Sequence, residues 1–392
     1  MTDLGTRTEP ALRRAAPALL GYAAVRALGL ITLALWSAAR DKSAYTLLTA
    51  RWDALWYTRV AELGYGYEVR LPNGDVHSNL AFFPLLPWLE RLVSVVSPLS
   101  YADAGFVVSL LASLLAAWGV FAVTEHVYGR RAGVCAVLLW AVLPVGIVQS
   151  MAYSESLFTA LAAWSLYALL TGRWLTAGLL ASLAGLTRPV GLAVVAAVWA
   201  AGIAAFLRDR RDRAASGSER VAPAGATTAA QAAGMALAPL GAAAYVLWVG
   251  HRTGRGPLGY LDVQAGWRNG FDGGYAFARF VGDKFTSFPS ALAGVGLIVG
   301  VGLVVWLYVT CVRQGQPLPL LVYAGVVTAL ALCASSYFGS KPRLLMPAFP
   351  LLLPLALTLA RARTRRSAGI VAVIATASAL YGAFWLNGSG PP

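Results

Sequence analysis

Charge is what this chain has least of. Only 12% of its 392 residues are charged and 58% are hydrophobic. A soluble domain carries about a quarter charged residues. A soluble globular reading is therefore excluded, and the mean hydropathy of +0.65 points the same way. Cysteine is nearly absent: Cys135, Cys311 and Cys333 all lie in apolar runs with no pairing or ligand spacing. They read as small core residues. The three histidines, His77, His126 and His251, are scattered, so no metal centre is expected. No small-residue cleavage site clearly follows the first apolar segment, so no cleavable signal peptide is expected. Alternating ten-residue segments are missing too, which excludes a β-barrel.

What is present is a series of apolar runs, several longer than the ~20 residues needed to cross a bilayer. They predict an all-α polytopic membrane protein, one integral domain over 1–392 with about eleven transmembrane helices. The spans are expected at 15–38, 103–125, 132–149, 155–171, 174–187, 189–207, 228–250, 290–312, 319–335, 343–360 and 368–386. Residues 174–207 taken as one helix would be about 51 Å long, too much for a ~30 Å core, so a break is placed at Arg188-Pro189. Arg26, inside the first span, has to face the bundle or water. Residues 39–102 and 251–289 form two long loops. In the first, Asn73-Gly74 signals a turn, and the prolines of Phe83-Pro-Leu-Leu-Pro-Trp88 turn 80–98 into an interfacial or re-entrant helix. Residues 214–227 read as a flexible linker.

The net charge of +14 speaks for topology and anionic lipid before nucleic acid, which is not an expected partner. The densest basic clusters, at 13–14, 208–213 (with Arg220 further on) and 361–366, all fall on one side under this span order. That side is read as cytoplasmic, with the N-terminus and its Arg7, Arg13 and Arg14. Both long loops then face outward from the plasma membrane, as do the turns at 150–154, 187–188 and 336–343.

Polar groups collect on that outer side. Arg51-Trp-Asp-Ala-Leu-Trp-Tyr-Thr-Arg-Val-Ala-Glu-Leu-Gly-Tyr65 is amphipathic at helical spacing, with Trp52, Leu55, Trp56, Val60 and Leu63 on one stripe. Asp53 and Tyr57 share a face off that stripe. The helix is expected to lie on the membrane surface with its carboxylate at the water boundary. Asn79, Tyr153-Ser-Glu155, Arg188 and Ser340-Lys-Pro-Arg343 complete the set. Each has an ordinary reading as well. Asp53 and Glu155 suit a first helical turn, Arg188 snorkelling, and Lys341 and Arg343 interface anchoring. Together they suit transfer from a lipid phosphate. A carboxylate takes a proton from an acceptor hydroxyl, and Arg51, Arg188, Lys341 and Arg343 are candidates to hold the phosphate. Asp53 is the candidate base, and no cofactor is expected. A transporter or flippase of a lipid-linked sugar would use the same groups, but no internal repeat is visible.

The motifs Arg51-Trp-Asp-Ala-Leu-Trp-Tyr…Ala61-Glu-Leu-Gly-Tyr65, His77-Ser-Asn-Leu-Ala-Phe-Phe-Pro-Leu-Leu-Pro87, Tyr153-Ser-Glu-Ser-Leu-Phe158 and Leu186-Thr-Arg-Pro-Val-Gly-Leu192 come in this order. They resemble the PIG-V type of GPI mannosyltransferase, in particular its bacterial relatives. Pro342-Arg343…Pro347-Ala-Phe-Pro350 resembles the C-terminal motif, with Leu344 where an aromatic is expected. The resemblance implies a GT-C-like glycosyltransferase. It would move mannose from a polyprenyl-phosphate donor to a lipid-linked or glycan acceptor, with inversion, on the non-cytoplasmic side. It also implies that the acid of the first outer loop maps onto Asp53 and makes Asn79 and Glu155 candidate pocket residues.

Overall fold

The computed structural model describes residues 10–216, 225–388 and 390. Arg7, Arg220 and most of the 214–227 linker lie outside the described residues. The first span is α1, Ala11–Ala38. The short α2, Ala44–Thr49, is capped by Ser43, whose side chain accepts from the Thr46 amide. It leads into α3, Asp53–Leu63. A hairpin of Glu68–Arg70 (β1) and Val76–Ser78 (β2) turns where Asn73-Gly74 was expected to, with Gly74 at φ 87°. The interfacial helix is α4, Leu85–Val96. Its 12 residues reach about 18 Å, too short to cross a bilayer. It buries Leu86, Pro87 and Glu90 and leaves Trp88, Leu92, Val95 and Val96 exposed, as a helix bedded in a membrane surface would.

Then follow α5 (Tyr101–Tyr128), α6 (Arg130–Ala141), α7 (Ser154–Leu170), α8 (Trp174–Gly185) and α9 (Leu192–Ser216). The next pair, α10 (Gly225–Leu237) and α11 (Leu240–Thr253), meets at Pro239. The second long loop holds α12 (Gly259–Gly266), α13 (Tyr275–Asp283) and the strand Gly270–Phe271 (β3), which pairs with Ala334–Ser335 (β4). The chain closes with α14 (Ser290–Arg313), α15 (Leu318–Cys333), α16 (Lys341–Leu345), α17 (Leu353–Arg361) and α18 (Thr364–Leu386). The protein is thus mostly helical, with two small two-stranded sheets in place of an all-α chain.

Among the described residues six helices are long and apolar enough to cross a membrane, or seven counting one bent pair. Several expected spans are shorter or broken. α6 stops after 12 residues, before Pro144, and a 3-10 turn at Gly146–Ser150 follows. The 343–360 segment is bent by 75° between Phe338–Leu345 and Phe349–Arg361. Pro347 and Pro350 lack the amide protons that would continue the helix there. The break at Arg188-Pro189 is a tight reversal. A Cβ on Gly191 would lie 2.6 Å from the Gly185 Cα, so only glycine allows α8 and α9 to meet there.

Helix packing uses small residues, as expected where lipid removes the hydrophobic drive between helices. A Cβ on Gly178 of α8 would fall 2.3 Å from the Gly234 carbonyl oxygen of α10. Elsewhere the outward face is apolar: α14 buries only Gly294, Leu307 and Cys311 and exposes Leu292, Val295, Ile298, Val299 and Leu303. Arg26 does face the bundle. Its guanidinium donates to the carbonyl of Ala141, where α6 ends, and to that of Gly146 at the start of the 3-10 turn. All three cysteines are free.

Candidate active site

The entry to α3 is strained. Trp52 sits at φ 50°, ψ −125°, a conformation costly for a bulky residue. It turns the chain so that α3 begins on Asp53 and not on Arg51. The Arg51 guanidinium lies over the Trp52 ring, 4.2 Å from its centroid. Arg51 therefore braces the turn and is not among the groups clustered on Asp53. The buried face of α3 is Ala54, Tyr57, Val60 and Ala61, which differs from the expected stripe. Leu55 and Leu63 point outward. The bundle takes the face that carries Tyr57, together with Val60, and packs Trp52 and Trp56 against the core.

Asp53 Oδ2 accepts a hydrogen bond from Arg343 Nη1 at 2.7 Å. Arg343 Nε lies 3.3 Å from Glu155 Oε1. Arg188 pairs with the same Glu155 oxygen. Four alternating charges thus run Asp53, Arg343, Glu155, Arg188. They come from the start of α3, from α16, from the first turn of α7 and from the turn before α9. Their formal sum is zero, which is what allows so many charges to be withdrawn from water. Burial is deepest at Glu155 and opens toward both ends of the row: Asp53 is 27% exposed, Arg343 9%, Glu155 1% and Arg188 13%. The more open end is therefore the Asp53 carboxylate. Tyr57 bonds Ser154 Oγ at 2.7 Å, and Arg188 Nη1 lies 3.5 Å from that same hydroxyl. Burial pushes the Tyr57 phenol up, so it stays protonated at physiological pH. Tyr153 presents its ring 5.1 Å from the Arg343 guanidinium.

Two expected site residues lie elsewhere. Asn79 is fully buried, donating to the Gly64 carbonyl and accepting from the Gly66 amide, each at 3.0 Å. It clasps the loop after α3, and its burial keeps it off the surface. Lys341 Nζ donates to the carbonyls of Ala331 at 2.8 Å and Ala334 at 2.9 Å. It also lies over the rings of Phe277 and Phe338. These are the orphan carbonyls at the end of α15, and they hold Lys341 away from Arg343.

The second long loop supplies a wall that sequence reasoning missed. Trp267 contacts Trp56 edge-on at 4.9 Å, stacks on His77 at 4.0 Å and donates to the Ser78 carbonyl. Trp56 in turn stacks on Phe82. Arg268 pairs with Asp75 at 2.6 Å. The two long loops therefore close on each other next to α3. The position of Trp267 in a long loop was the only available signal, and its aromatic character did not set it apart there.

A bundle of apolar helices with two long loops folded beside a two-acid, two-arginine row defines a class of polytopic membrane protein. Its backbone is similar to that of ArnT from Cupriavidus metallidurans, in a crystal structure bound to undecaprenyl phosphate, with a TM-score of 0.53 and 15% identity. The match covers 92% of this chain and 62% of that one, and it bears out the GT-C-like architecture. Residues 33–212 match the family model described as Mannosyltransferase (PIG-V). The mouse GPI alpha-1,6-mannosyltransferase 2 is 34% identical over 160 residues, which is 36% of this chain and 29% of that protein. The rat protein of the same description is 35% identical over 158 residues, 30% of its length. The first half of the chain, including Asp53, Glu155 and Arg188, thus bears the likeness to the PIG-V mannosyltransferases that its motifs implied. Arg343 lies beyond the matched segment.

Proposed function

We propose that this protein is a membrane mannosyltransferase, a single integral domain that moves mannose from a polyprenyl-phosphate donor to a lipid-linked or glycan acceptor. The reaction takes place at the outer face of the plasma membrane, where both long loops lie, with the N-terminus cytoplasmic. The observation that carries this reading is the Asp53–Arg343 pair at the open end of a buried charge row. The acceptor hydroxyl attacks the anomeric carbon from the face opposite the phosphate, and Asp53 takes its proton. The bond from the anomeric carbon to the phosphate oxygen breaks, and the phosphate leaves with the electron pair. Attack from the opposite face inverts the anomeric configuration. Arg343 and Arg188 stabilise the charge that grows on the leaving oxygen. The half-buried aromatic wall beside α3 and the apolar outer faces suit a substrate that is part sugar and part lipid.

The sugar assignment is supported by the family likeness, and the carrier by the undecaprenyl phosphate in the ArnT structure. The deciding experiment supplies radiolabelled polyprenyl-phosphate mannose and total cell lipid to the purified protein in detergent and in vesicles. A new labelled product is the expected result. Label that crosses the vesicle membrane without changing its chemical form would show a transporter instead, and the absence of both product and crossing would refute both readings.

A further inference from the structure

We propose that Glu155 is a positioning residue that leaves one positive charge to be shared, so that Asp53 and the donor phosphate compete for Arg343 and donor binding frees the base. The inference rests on the lipid-phosphate donor proposed above. Its basis is a charge count in a buried place. Arg188 and Arg343 bring two positive charges, and Glu155, only 1% exposed and in contact with both, neutralises one of them. The remaining charge is matched by Asp53 alone.

An incoming phosphate adds an anion to a row that is already neutral. It cannot reach Glu155, which lies behind both guanidiniums. The partner it can replace is Asp53, the most exposed member, whose bond to Arg343 uses Nη1. Arg343 keeps two other contacts when it yields that bond: its Nε lies 3.3 Å from Glu155 Oε1, an ion pair without a hydrogen bond, and its guanidinium lies against the Tyr153 ring. A guanidinium placed by an ion pair and a ring contact exchanges one oxygen ligand for another with little reorganisation. Asp53 released in this way keeps its place at the head of α3, because the strained Trp52 turn and the Tyr57–Ser154 bond fix that helix independently of Arg343. The base is tied down while the site is empty and becomes available once the phosphate is seated. The binding order that follows is donor first, acceptor second.

Farnesyl phosphate, a short prenyl phosphate, serves as the probe. Its affinity for the full chain in detergent is measured by titration calorimetry for the unaltered protein, Asp53→Asn and Glu62→Gln. Glu62 lies near the far end of α3 and controls for general loss of negative charge. Competition predicts that Asp53→Asn binds the probe at least about fivefold tighter, the low end of a coupling between sites, while Glu62→Gln binds unchanged. Equal or weaker binding by Asp53→Asn overturns the competition and leaves the donor reading intact. No binding by any of the three overturns both.

Glu155→Gln gives an independent readout if it folds. It restores a second unshared charge, so the donor KM should fall while kcat also falls, because Asp53 then stays tied to a guanidinium. A purely structural role for Glu155 would raise KM and lower kcat together, and that pattern would overturn its positioning role. If the variant does not fold, the Asp53→Asn comparison still decides.

Discussion

Arg343 Nη1 sits 2.7 Å from Asp53 Oδ2 although 290 residues of chain separate them. The contact closes the bundle, joining the first long loop to the bent segment before α17. It also places one guanidinium against the only partly open carboxylate of the row, so the chemistry and the tertiary fold depend on the same side chains.

Asp53→Asn keeps the size of the side chain but gives up the charged pair with Arg343 and cannot take a proton. The variant should insert in the membrane and elute like the unaltered protein, with transfer reduced at least about 100-fold, the low end for loss of a general base. Product formation from labelled donor is the measurement. Near-normal transfer would remove Asp53 from the mechanism.

Arg343→Lys keeps the charge and loses the fork. A single ammonium cannot hold Asp53 and Glu155 in the present geometry, and it offers a phosphate no two-point contact. Transfer should fall by about 100-fold or more, the scale for losing one donor to a developing oxyanion. Arg343→Ala should do something different. It leaves Glu155 with one guanidinium and Asp53 with none, and breaking a buried pair costs about 3–5 kcal/mol. Thermal unfolding in detergent separates the two: a modest shift for Lys, a large one for Ala.

Much of this row was legible before the fold. Asp53 and Tyr57 share a face because they lie four apart, and both do turn inward. Arg188 and Arg343 were candidates for a phosphate because each stands in a short turn between apolar segments, and both reach the cluster. Glu155 was legible as a polar residue at a helix start, but its position behind two arginines was not. Asn79 and Lys341 misled for a common reason. Sequence shows that a side chain is polar and where it falls, but it does not show which backbone carbonyls the fold leaves without partners. Asn79 satisfies the loop at Gly64 and Gly66, and Lys341 the end of α15. Of the stripe on α3, Leu55 and Leu63 face outward as a helix on a membrane surface requires, while Val60 is buried and Trp52 and Trp56 pack against the core. The helix breaks at Pro144 and Pro347 fall inside apolar runs that composition alone reads as continuous.

Asn79→Ala tests the distinction between clasp and pocket. The change leaves the Gly66 amide and the Gly64 carbonyl without their partner, at a cost of about 1–3 kcal/mol. The melting temperature should drop by several degrees. At a temperature where the variant is still folded, the donor KM should match that of the unaltered protein. A raised KM with an unchanged melting temperature would put Asn79 back among the substrate ligands.

Glu90 makes a prediction about pH. It lies on the inner face of α4, fully buried, and neither carboxyl oxygen has a hydrogen-bond partner among the described residues. Its neighbour is Gly105 of α5, where a Cβ would fall 2.5 Å from Glu90 Oε1. Burial alone pushes this carboxyl well above its ordinary value of 4.5. In the folded protein it therefore stays protonated, while in the unfolded chain it ionises once the pH passes 4.5. The fold binds the extra proton, so stability is full below that pH and declines as the pH rises toward the folded-state value. Each unit of elevation is worth about 1.4 kcal/mol. Glu90→Gln, neutral and of similar size, should flatten this dependence. Its melting temperature should equal that of the unaltered protein near pH 4.5 and exceed it by a few degrees at pH 8. Two parallel curves across that range would mean that Glu90 is charged and paired in the folded protein.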